Sequence, residues 1–199
     1  PPAPNKLNVY IVPGLRGLRI IRPVDNSTGG FYTATPNGIA AFVDGTIEST
    51  ERGVGRNRTS SDNEVLFHEY AHHFMMQYSA NAYPAWYIEG FAEYFSTAQF
   101  RDGSVDVGNF STNRAQWLAN GQWLPTERVL FRDRERFTGN QIAMFYAQSW
   151  LLTYHFYSTP ELQSALMRYL QAAREGDPAQ AFRNATGMTA EQLHRGVRS

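Results

Sequence analysis

Cysteine is missing from this chain altogether, and lysine almost so, Lys6 being the single example. Without cysteine there are no disulfides, no thiolate metal ligands, no iron–sulfur clusters and no thiol nucleophile, although the redox compartment stays open. Net charge is lacking too, because 18 Lys and Arg offset 18 Asp and Glu. With no overall field to draw it to polyanions, the chain is not expected to partner nucleic acid or an anionic membrane. Nor is there a long apolar run. The nearest, Ile142 to Tyr157, is interrupted by Gln148, Ser149, Thr153 and His155 and falls short of the ~20 residues of a membrane span. It reads as a buried helix.

What is present is enough for one substantial core: 199 residues, of which 42% are hydrophobic and 14% aromatic. Disordered, collagenous and coiled-coil readings fall away. Pro1-Pro2-Ala3-Pro4 carries no Met, charged n-region or apolar h-region. It reads as the start of a piece processed or excised from a longer product that carries further domains. A secreted or periplasmic location after signal removal and a cytoplasmic one both stay open.

The first quarter is β-rich. Leu7 to Val12 alternates like a strand and is closed by Pro13-Gly14; Leu18 to Ile21 reads as strand or turn; Phe31 to Thr35 and Gly38 to Asp44 are further strands. A polar loop, Glu51 to Ser61, follows. Ser61-Asp62-Asn63-Glu64 matches a capping box and opens a helix to about Gln77 or Tyr78. Pro84 suits the first turn of a helix to about Ala98. Helices are then expected from Ser111 or Thr112 to Ala119, from Thr138 or Asn140 to Tyr157, and over Pro160 to Arg174, Asp177 to Ala185 and Thr189 to Val197. The expected fold class is α+β: a β-rich lobe with its helix over 1–80 and an all-helical lobe over 81–199.

His68-Glu69-Tyr70-Ala71-His72 carries the chemistry. Positions four apart on a helix share a face, so both imidazoles can converge on one ion. Glu69 lies one residue round the helix, where it can face an activated water as general base. A catalytic zinc needs a third ligand and a vacant fourth position. Glu89 answers that need, and the intervening turn at Asn81 to Pro84 lets its helix fold back. Glu93 faces the same way one turn later and suits the free ring N–H of a ligating histidine. Trp86, Tyr87, Phe91, Tyr94 and Phe95 crowd both carboxylates, and carboxylates in such company usually have partners. His73 and His155 read as interior histidines.

Followed by Trp86-Tyr87-Ile88-Glu89-Gly90-Phe91-Ala92-Glu93-Tyr94, this segment resembles the gluzincin metallopeptidases, in particular the peptidase-MA-like family of largely uncharacterised bacterial proteins. The likeness spans residues 61–96 and continues through Phe145-Tyr146-Ala147-Gln148-Ser149-Trp150. It implies a zincin-like fold with a small, mostly antiparallel N-terminal sheet, and zinc held by His68, His72 and Glu89 with Glu69 as base and proton shuttle. It also assigns Tyr146 as oxyanion donor, a role that a phenol O–H can fill.

Two departures bear on specificity. Gly38-Ile39-Ala40-Ala41-Phe42, where related aminopeptidases carry a glutamate that anchors the substrate's amino terminus, has no carboxylate. That disfavours an exopeptidase needing the anchor, while the backbone of Ala40, Ala41 and Phe42 is expected to pair with an extended peptide by β-addition. Tyr146 is followed by Ala147-Gln148 instead of Lys-Gly. Arg52, Arg56 and Arg58, and the alternating Arg132 to Arg136, read as solvated loop charges. The expected function is a zinc-dependent peptidase acting on a peptide or protein substrate. The alternative is a zinc-stabilised interaction module without catalysis.

Overall fold

The computed structural model describes residues 6–26, 28–36, 38–46, 61–78, 83–131 and 137–198. It is an α+β protein, mostly helical, with a small mixed sheet. The chain divides into two compact units, residues 1–80 with 95–109 and residues 81–94 with 110–199. Segment 95–109 therefore groups with the front of the chain and not with the helices that follow it.

In the first unit, strand β1 (Leu7–Val12) ends at Pro13, helix α1 (Gly14–Ile21) follows, and strands β2 (Gly30–Thr35) and β3 (Gly38–Asp44) complete a sheet of order β1-β3-β2. The sheet expected to be mostly antiparallel is mixed instead. β1 pairs with β3 in parallel, Leu7 opposite Ile39 through Val12 opposite Asp44, whereas β2 pairs with β3 antiparallel, Gly30 opposite Val43. A parallel pair needs a crossover too long for a hairpin, and α1 with β2 supplies it. The expected strand or turn at Leu18 to Ile21 is thus helix. Leu18 is fully buried while Ile20 and Ile21 stay exposed, so a three-residue apolar repeat beginning at Leu15 wins over the β preference of the isoleucines. Phe42 stacks on Tyr10 at 5.0 Å and meets Phe31 at 5.1 Å, and the Arg22 guanidinium caps the Phe31 ring at 4.0 Å.

Helix α2 (Ser61–Tyr78) packs on β2 and β3, burying Ala71 and Met75 four residues apart. The side chains of the capping box at Ser61 to Asn63 lie outside the described residues. The unit ends in a hairpin, β4 (Gln99–Arg101) and β5 (Ser104–Asp106), turned at Asp102-Gly103 with Gly103 at φ 76°. Asp-Gly between short strands is a strong hairpin signal.

The second unit is built round helix α6 (Asn140–Tyr157), which buries Met144, Phe145, Ala147, Gln148, Ser149, Trp150, Leu152, Thr153 and Phe156 and so is covered on most sides. Such a helix forms the centre of a core. Helix α3 (Ala85–Ser96) starts after Pro84, whose carbonyl accepts from the N–H groups of Tyr87 and Ile88 at 2.9 and 3.1 Å. It crosses α6 at Gly90, where a Cβ would collide with Thr153 Oγ1 and the Ser149 carbonyl. Only glycine permits that approach.

Helices α4 (Thr112–Asn120), α5 (Thr126–Phe131), α7 (Pro160–Ala172), α8 (Pro178–Thr186) and α9 (Ala190–Arg198) complete the unit. Ser111, Thr159 and Asp177 cap α4, α7 and α8 through side-chain oxygens, and Pro occupies the first turn of α7 and α8. Trp86, Phe156, Tyr169 and Phe182 form an aromatic core, all fully buried. Gln148 reaches from α6 to the Leu124 backbone, accepting from its N–H at 2.8 Å and donating to its carbonyl at 3.0 Å. No helix among the described residues is long and apolar enough to cross a membrane.

Candidate metal centre

The helical period places the two histidines as the spacing requires. On α2 the Nε2 atoms of His68 and His72 stand 3.0 Å apart, with ring centroids at 4.7 Å and planes at 85°. Two nitrogens bound at ~2.0–2.1 Å to a tetrahedral ion sit roughly 3.3 Å apart. The observed pair is therefore close to bite distance without rearrangement of the helix.

Glu69 is 5% exposed, although its neighbour Tyr70 is largely open to solvent. Its stem runs past the start of β2, where a Cβ on Gly30 would meet Glu69 Cγ at 3.6 Å and Val65 Cγ1 at 2.8 Å. The contact with Glu69 Cγ would be an ordinary one; the close approaches that Gly30 permits are those of the Phe42 carbonyl and Val65 Cγ1, each 2.8 Å from such a Cβ, a role that one glycine of a Gly-Gly pair does not announce in sequence. His73 turns away from His72 toward the sheet: it is 3% exposed, and its Nδ1 lies 3.5 Å from the Tyr32 hydroxyl.

Glu89 and Glu93, 5% and 4% exposed, succeed one another by one turn of α3. Arg114 of α4 meets Glu93 with a fork, Nε to Oε2 and Nη2 to Oε1, each at 2.6 Å. Paired N–H donors on a carboxylate form the strongest class of charge-assisted hydrogen bond. Nothing in the sequence links residues 93 and 114, because the contact depends on how α3 and α4 pack.

Each of His68, His72 and Glu89 offers a ligand atom within 4.8 Å of the other two. Among the described residues, no other group of three His, Cys, Asp or Glu side chains is so placed. Two imidazoles and a carboxylate are a donor set suited to a divalent ion of zinc's character, and three protein ligands leave one tetrahedral position for water or substrate.

Tyr146 lies half-buried on α6, with the Arg114 guanidinium carbon 5.3 Å from its ring centroid. His155, at the other end of α6, is partly buried, and that burial pushes its pKa below the ordinary histidine value. The expectation for Ala40, Ala41 and Phe42 is corrected. They sit in the central strand β3, with β1 on one side and β2 on the other, so their backbone groups are already committed to ladders. A peptide can add only at a sheet edge, and the edges are β1 and β2. Arg52, Arg56, Arg58, Arg132 to Arg136 and the first half of the Asn81 to Pro84 turn lie outside the described residues. No protein-family model, curated protein or solved structure matches the chain.

Proposed function

We propose that this chain is a metal-dependent peptidase of gluzincin type, with zinc the ion expected at His68, His72 and Glu89. The observation that carries this reading is the approach of those three ligand atoms to within 4.8 Å, drawn from two helices and set beside a buried glutamate. A divalent ion bound there supplies Lewis-acid polarisation of a carbonyl and lowers the pKa of water toward neutrality.

The chain's own residues do the rest. Glu69 accepts a proton from the attacking water and delivers it to the departing amine, and its burial keeps bulk water from competing for that carboxylate. Tyr146 donates its hydroxyl to the oxygen on which negative charge develops. Glu93, held by the Arg114 fork, ties α3, which carries Glu89, to α4. The substrate strand is reassigned from β3 to β2. β2 is an edge strand, and its Gly30 adjoins Glu69, so an extended peptide paired along its outer edge is delivered beside the base.

The test is cleavage of a broad peptide library by the zinc-loaded chain, with chelation and zinc restoration as controls. Glu69→Gln is expected to keep its metal and to lose about 10²–10⁴-fold in kcat. Turnover like wild type in that variant removes Glu69 from the mechanism. A library left uncut by a metal-loaded wild type supports instead a zinc-stabilised interaction module.

A further inference from the structure

Arg114 has no part in the chemical steps, yet it joins three helices of the second unit. Its fork occupies both oxygens of Glu93 on α3, and the same guanidinium lies over the Tyr146 ring on α6. Its backbone is held as well, because the Ser111 cap accepts from the Arg114 N–H at 3.4 Å. The ion pair is largely buried, with side-chain exposures of 23% for Arg114 and 5% for Glu93. Buried pairs of this kind are poor sources of stability, since desolvation consumes most of the attraction. What they provide is fixed geometry: the fork sets both distance and angle to the carboxylate, and a cation held against an aromatic face restrains the ring.

We propose that Arg114 is a positioning residue for Tyr146. By clamping Glu93, one turn beyond Glu89, and covering the Tyr146 ring, it holds the phenol in register with the ligand-bearing helix. The hydroxyl is thereby kept where oxyanion charge develops. This inference rests on the peptidase reading for its catalytic consequence, while the restraint on Tyr146 is a property of the second unit alone.

The experiment uses the full zinc-loaded chain carrying Arg114→Met or Arg114→Lys, each in wild-type and Tyr146→Phe backgrounds. With Tyr146 present, Arg114→Met should lower kcat about a hundredfold, the scale of a misplaced catalytic group, with KM essentially unchanged. Arg114→Lys, which keeps the charge but not the fork, should recover part of the loss. In the Tyr146→Phe background Arg114→Met should add little, because residues acting as one unit are not additive. Equal losses in both backgrounds, or no loss, overturn the proposal. A second readout needs no turnover: in protein with 13C-labelled tyrosine, the Tyr146 resonance, assigned by its disappearance in Tyr146→Phe, should shift in both Arg114 variants. An unmoved resonance overturns the positioning role even where Arg114→Met fails to fold, because Arg114→Lys retains the countercharge of Glu93. A shifted resonance in a chain that cleaves nothing supports the restraint and removes the peptidase reading. Cleavage with an unmoved resonance removes Arg114 alone.

Discussion

At the scale of single residues, burial separates side chains that composition treats alike. Glu69, Glu89 and Glu93 are at most 5% exposed, a condition that a carboxylate tolerates only with compensating partners. The sequence made this legible through the bulky apolar residues flanking Glu89 and Glu93. It did not disclose Arg114, whose relation to Glu93 spans 21 positions and two helices. His155 yields a prediction in pH. Its pKa is depressed by burial, so the unfolded chain binds a proton at higher pH than the folded one. Stability is then full above the ordinary histidine pKa of about 6.5 and declines as pH falls from there toward the folded value, where the loss levels off. Thermal melts between neutral pH and about pH 5 should show this decline, and His155→Gln should flatten it. An unchanged slope in the variant would assign the decline to other groups.

Elements were legible where local chemistry dominates. Helix α2 starts at the expected Ser61, α6 follows its apolar run, and Thr159 and Asp177 mark the starts of α7 and α8. Boundaries failed where nonlocal contacts decide. Whether β3 is central or peripheral depends on strand order, which no periodicity encodes, so a substrate edge was expected on a strand already paired on both sides. The β4–β5 hairpin is a different case, since its Asp102-Gly103 signal was present in a stretch beyond Ala98 that was expected to belong to an all-helical lobe. The crossing of α3 and α6 gives a sharp test. Gly90→Ala places a methyl against Thr153 Oγ1 and the Ser149 carbonyl, and backbone cannot yield as a flexible side chain does. Overpacking of this kind should cost about 1–3 kcal/mol, measurable by urea titration with an unchanged m-value. A neutral Gly90→Ala would mean that the helices part easily there. At Gly30, an added Cβ would meet the Phe42 carbonyl and Val65 Cγ1 at 2.8 Å, so Gly30→Val should likewise lower the urea midpoint.

For the molecule as a whole, the composition excluded more than it identified, and what it left standing was a cysteine-free α+β chain with, among the described residues, one cluster of metal-ligating type. The proposed function depends on that cluster holding an ion. Any ligand that binds the folded chain alone raises its stability by mass action, about 2.7 kcal/mol at a free concentration a hundredfold above Kd. Chelation should therefore lower the melting temperature of wild type and leave that of His68→Ala almost unmoved. The most direct measurement is elemental analysis of the purified chain after dialysis against buffered zinc, with His68→Ala and Glu89→Ala treated in parallel. The account predicts about one equivalent of zinc in wild type, none retained in His68→Ala and sharply weakened retention in Glu89→Ala. Zinc held as tightly by Glu89→Ala as by wild type, or no zinc in wild type, would contradict it.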